Sequence, residues 1–107
     1  MEKKRGCFVT TTVCEILGKD DNCYELEILR KFRDTKLLAD DSLKNLVYQY
    51  YEISPEFVGI IKRHPTKDKF AKYLMDEYIQ NIIIFIQAGR DIEAIELYQK
   101  MLARIKY

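Results

Sequence analysis

The sequence predicts an all-α fold, one compact domain of about six helices, on three observations. Apolar residues recur at i, i+3, i+4, i+7 and i+8 in one segment after another. Strict alternation, the mark of a half-buried strand, fails to describe them. Glycine, proline and short polar residues fall where those segments begin and end. A chain of 107 residues with 48% apolar side chains can bury one core and has no length for a second.

Residues 1–6 hold Lys3, Lys4 and Arg5 with nothing apolar beyond Met1, a flexible basic arm ahead of a helical domain at 7–107. Val9, Val13, Ile16 and Leu17 then set out a short helix that Gly18 closes, placed at one end of the domain. The threonines at 10, 11 and 12 weaken it. "GKDDN" is a turn, and Asn22 with Glu25 makes a reciprocal capping pair for a helix over about 22–35. Asp40 or Asp41 caps a third, with Leu43, Leu46, Val47, Tyr50 and Tyr51 on one stripe.

"SPEF" starts a fourth helix, Ser54 as its cap and Pro55 at the first helical position, and Pro65 stops it near Arg63. A fifth runs from about Lys67 to Ala88 and ends at Gly89. Its run Ile82 to Ile86 is apolar all round, which makes it the central element, enclosed by neighbours. A buried strand is the competing assignment for that run; helix formers and caps flank it over ~20 residues, too long for a strand. Asp91 caps the sixth helix, with Ile92, Ile95, Tyr98, Leu102 and Ile105 as its stripe. Only Arg90 separates it from Gly89, so the last two helices form an antiparallel hairpin.

Composition narrows function. Eighteen Lys and Arg against 17 Asp and Glu leave a net charge of +1, far from that of a dedicated nucleic-acid binder. Nucleic acid and membrane are therefore set aside as partners, the latter because Ile82 to Ile86 is much shorter than the ~20 residues of a span. Three cysteines cannot all pair, and no signal peptide precedes them, so Cys7, Cys14 and Cys23 read as reduced thiols of a cytoplasmic protein.

The residues that could carry chemistry are few. Cys7, Cys14, Cys23 and His64 have no metal-site spacing, so neither metal nor cofactor is implied. A thiol enzyme would need His64 as its base, in a loop beside Pro65. In "LRKFRD", Arg30 and Asp34 stand at i and i+4 on one face, either a structural pair or, with Arg33, an anion clamp. Tyr50 and Tyr51 fall on the apolar stripe, whereas Tyr48 points elsewhere, toward a contact surface. Lys62, Arg63, Lys67, Lys69 and Lys72 cluster around a loop, but the nearby Phe70 and Tyr73 look like stripe residues.

Three stretches, "CFVTTTV" at 7–13, "LRKFRD" at 29–34 and "YYEISPEFV" at 50–58, resemble the bacterial CFI-box domain in order and spacing, with "LGKDDNCYEL" resembling its stand-alone form. The similarity covers residues 7 to about 61; Val9 replaces the family's isoleucine and Thr12 its common alanine. The resemblance implies a helical domain without an assigned activity. It singles out Cys7, Thr10, Thr11, Arg30, Arg33, Asp34, Tyr51, Ser54 and Pro55. The role expected is a small non-catalytic bacterial protein-interaction module, binding a protein partner or a second copy of itself. A phage- or mobile-element-encoded inhibitor of a larger effector fits that description. The alternative is a thiol-dependent enzyme using Cys7, with Arg30 or Arg33 holding an anionic group.

Overall fold

The computed structural model describes residues 8–107, and every regular element within them is helical. In order these are α1 (Phe8–Ile16), α2 (Tyr24–Phe32), a π-helical turn at Arg33–Leu37, α3 (Lys44–Lys62), α4 (Lys67–Leu74), a second π turn at Met75–Ile79, α5 (Gln80–Gln87) and α6 (Asp91–Lys106). Since α4, the second π turn and α5 run on without a break, the described residues make five rods, packed to a radius of gyration of 13.1 Å. Cys7 and the basic arm lie outside the described residues.

The expected third and fourth helices are one. Ser54 and Pro55 do not start a helix; α3 passes straight through them. Proline in a helix interior leaves the carbonyl four residues back without its N–H and crowds it with the ring. Here that carbonyl belongs to Tyr51, and the buried Ser54 hydroxyl donates to it at 3.3 Å. Pro55 itself faces solvent. The serine thus supplies the hydrogen bond that its neighbour cannot.

Instead of closing one end of the domain, α1 is enclosed by it. Val9, Thr10, Val13 and Cys14 are at most 1% exposed, and Thr12 only 5%. The helix lies against α3 and α4. Gly18, at φ +79°, ends it in a left-handed residue: its N–H bonds Glu15 O at 3.0 Å and the Lys19 N–H bonds Cys14 O at 2.8 Å. Gly89, at φ +76°, repeats the motif, with Gly89 N–H on Ile86 O and Arg90 N–H on Phe85 O. Both glycines adopt the conformation that side chains with a Cβ resist, and after the second the chain turns so that α6 packs on α5.

The start of α2 differs from the capping pair expected. Cys23 stands at its N-cap without a side-chain capping bond. Glu25 turns inward, where Gln80 Nε2 donates to it at 3.0 Å and Lys19 pairs with it at 3.4 Å, tying α2 to α5. Burial alone would push its carboxyl up. Its own backbone amide, Gln80 and Lys19 outweigh that and hold it below the usual range.

The rod from α4 to α5 is central: α1 and α3 lie against its first half, α2 and α6 against its second, and Ala71, Leu74, Ile79, Ile82 and Ile83 are buried. The Ile82 to Ile86 run is not enclosed all round, because α5 has α2 and α6 on two sides and solvent on the third. Ile84 is 59% exposed. Ile92, expected on the α6 stripe, is 61% exposed, while Ala94 and Met101 are buried.

Pro55→Ala returns an N–H to the Tyr51 carbonyl and removes the ring. It should raise stability by about 1–2 kcal/mol, the helix-interior gain less the restriction proline places on the unfolded chain. Ser54→Ala should cost about 1 kcal/mol with Pro55 present and less in the Pro55→Ala background. Urea denaturation followed by circular dichroism measures all three variants; a loss on Pro55→Ala would mean that a helix starts there after all.

Candidate functional site

One small cleft gathers residues from the stretches at 7–13, 29–34 and 50–58. Thr10 comes from α1, Leu29 from α2, Arg33 from the first π turn, and Val47, Tyr50, Tyr51 and Ser54 from α3; Tyr98 of α6 completes the lining. The side chains reach this point for separate reasons. Val47, Tyr50, Tyr51 and Ser54 recur at helical spacing along one face of α3, which holds only because that helix is unbroken at Pro55. Arg33 opens the π turn, closed by the Leu38 N–H on Arg33 O at 2.8 Å.

The cleft is mostly apolar, with a volume of about 70 Å³. An apolar cavity of ~150 Å³ is what takes benzene, so this one admits a short aliphatic group. Tyr50 and Tyr98 form one wall, their ring centroids 5.0 Å apart and inclined at 51°. The Tyr50 hydroxyl is buried without a hydrogen bond of good geometry, and burial pushes its phenol up, Gln99 opposing. The Arg33 Nε donates to Asp34 Oδ1 at 2.8 Å, which places a charged pair beside the apolar opening.

Other candidates fall elsewhere. Arg30 does not pair with Asp34. It is buried, and its guanidinium donates to the Asp21 backbone carbonyl and, at 2.8 Å, to Asp21 Oδ1, folding the α1–α2 turn onto α2. The i, i+4 pair does not form because Arg30 is buried and held by Asp21, while the exposed Asp34 is taken by Arg33. Thr11 is half-buried on α1 outside the cleft, Tyr48 is 53% exposed on α3, and Pro55 faces solvent. Cys7 lies outside the described residues.

Two features went unread in the sequence. Leu29, Val47, Tyr50 and Tyr98 were expected as stripe or core residues, and nothing local marks them as lining one cavity. Cys14 and Cys23 also meet, with sulfur atoms 4.0 Å apart. Burial pushes the Cys14 thiol up to about 12, helped by Cys23 and Glu25 and opposed by Lys19. His64 is remote from this chemistry: its ring stacks on Phe70 at 4.4 Å and its Nδ1 accepts the Thr66 N–H at 3.1 Å. Among the described residues no three His, Cys, Asp or Glu side chains are grouped to hold a metal ion, and no helix is long and apolar enough to cross a membrane.

No family model, curated protein or solved structure matches this chain.

In the folded protein Cys14 keeps its proton to about pH 12, whereas the unfolded thiol releases it near 9.0. The folded state therefore holds one more proton across that window. Stability should be intact below pH 9 and fall by about 1.4 kcal/mol per pH unit above it. Urea midpoints at pH 8, 9.5 and 10.5 should show this extra slope in the native sequence and not in Cys14→Ala. Iodoacetamide at pH 8 should modify Cys23 in the folded protein and Cys14 only after unfolding; rapid labelling of Cys14 would contradict the burial.

Proposed function

We propose that this chain is a non-catalytic bacterial protein-interaction module of the CFI-box type, and that the cleft between α1, α2, α3 and α6 is its contact site. The observation that carries this is convergence. Three stretches separated in sequence, the same three that resemble the family, supply Thr10, Leu29, Arg33, Tyr50, Tyr51 and Ser54 to one cavity. The volume and apolar lining suit a short aliphatic side chain of a partner protein, with tyrosine rings and the Arg33–Asp34 pair at the edge for orientation. A second copy of this chain is one such partner. The setting proposed is a cytoplasmic inhibitor, phage- or mobile-element-encoded, that seats one anchoring residue of a larger effector.

The thiol-enzyme alternative gains no support from the arginines. Arg30 is held by Asp21 and Arg33 by Asp34, so neither stands ready for an anionic group.

A photo-crosslinking residue placed at Tyr51 or Tyr98 tests the proposal in the host bacterium. Both positions should give one adduct of the same mass, which Arg33→Ala diminishes several-fold, and a residue placed at Asn45 should give none. An adduct of twice the chain mass would identify self-association, checked by light scattering. Absence of a discrete adduct at both cleft positions, or an equal one at Asn45, would reject the cleft as the contact site.

A further inference from the structure

A second cavity, of about 340 Å³, opens where the α3–α4 turn meets the last turns of α6, and it shares no residue with the cleft. Its walls are aromatic and its rim is cationic; among the described residues no Asp or Glu side chain lines it. His64 lies 4.4 Å from Phe70 with the rings 13° from parallel, and Phe70 lies 6.3 Å from Tyr73 at the same inclination. The Arg104 guanidinium sits 5.1 Å above the Tyr73 ring, and its Nε donates to the Tyr73 hydroxyl at 3.2 Å. This holds the guanidinium in place by one edge and leaves its terminal nitrogens without an ion pair among the described residues. The His64 Nδ1 accepts the Thr66 amide, so in the neutral ring the proton is on Nε2, a donor. Lys69 is exposed on the same rim, while Lys106 is shared with Glu56 at 3.3 Å. In a chain of net charge +1, Lys69 and Arg104 stand here in no ion pair among the described residues.

We propose that this cavity binds a phosphate monoester carried on a planar heterocycle, the unit presented by a free nucleotide or by the 5′ end of a single strand. The guanidinium edge, the ammonium and the imidazole N–H suit the phosphate oxygens. The exposed Tyr107 and the half-buried His64 ring at the cavity take the heterocycle, since every base has a π face to stack. Neither half is enough alone: a nucleoside lacks the charge and inorganic phosphate lacks the ring. The site is independent of the cleft proposed above, and loss of either leaves the other intact.

Titration of the isotope-labelled protein followed by amide NMR provides the test, with AMP, adenosine, inorganic phosphate and a 5′-phosphorylated thymidine octamer as probes. AMP should shift the amides of residues 64–73 and 104–107 and bind at least tenfold more tightly than adenosine or phosphate. Arg104→Gln and Lys69→Gln should each weaken AMP at least fivefold with an unchanged melting temperature, because both side chains are exposed. AMP and octamer of equal affinity would assign a free nucleotide, and a tighter, salt-sensitive octamer would assign a strand end. The proposal is overturned if AMP perturbs other residues, if Arg104→Gln binds as the native sequence does, or if a phosphoserine peptide binds more tightly than AMP.

Discussion

Enclosure of α1 is the constraint on which the rest of the structure depends. A nine-residue helix rich in valine and threonine is too short and too β-branched to persist alone. It forms because α3 and α4 cover it, each buried valine contributing about 1.5–3 kcal/mol as it leaves water. With α1 inside, Thr10 becomes part of a cleft wall and Cys14 is set in the core, where it meets Cys23. The cleft and the cysteine pair thus inherit their geometry from one poorly helical segment. Local propensity is overruled by packing here, and the Gly18 motif stops the helix where that packing ends.

A second constraint is continuity of α3. A break at Ser54 would detach Val47, Tyr50 and Tyr51 from Ser54, and the cleft would lose the straight face that carries four of its residues. The bond from the Ser54 hydroxyl to the Tyr51 carbonyl lets proline sit in the middle of a helix without ending it. The π turn at Arg33–Leu37 acts from the other side. It begins at Arg33, which stays at the cleft paired with Asp34, while Arg30, one turn earlier, is held by Asp21 of the α1–α2 turn.

Charge in this protein is local where it is nearly balanced overall. Several acidic side chains stand close to a basic partner, as in Lys72–Asp76, Arg90–Glu93 and Lys44–Asp41. Exposed pairs of this kind contribute little to stability. They matter by subtraction: Lys69 and Arg104, in no ion pair among the described residues, make a cationic rim beside a ladder of rings.

Much of the architecture was legible in the sequence because it depends on interactions within one or two helical turns. The all-helical class, the stripe of α3, the left-handed glycines at 18 and 89 and the stop before Pro65 follow from periodicity and backbone sterics, which a linear pattern records. What tertiary structure decided is which surface each helix covers. Ser54 and Pro55 match a helix start as well as any pair can; only their burial and exposure, set by neighbouring rods, made them an interior step. The same holds for Ile84 and Ile92, apolar yet exposed because α5 and the start of α6 lack a neighbour on one side. Tyr98 joined Thr10 and Arg33 across distances in sequence that no spacing rule spans, since convergence depends on how rods cross and not on the residues along any one of them.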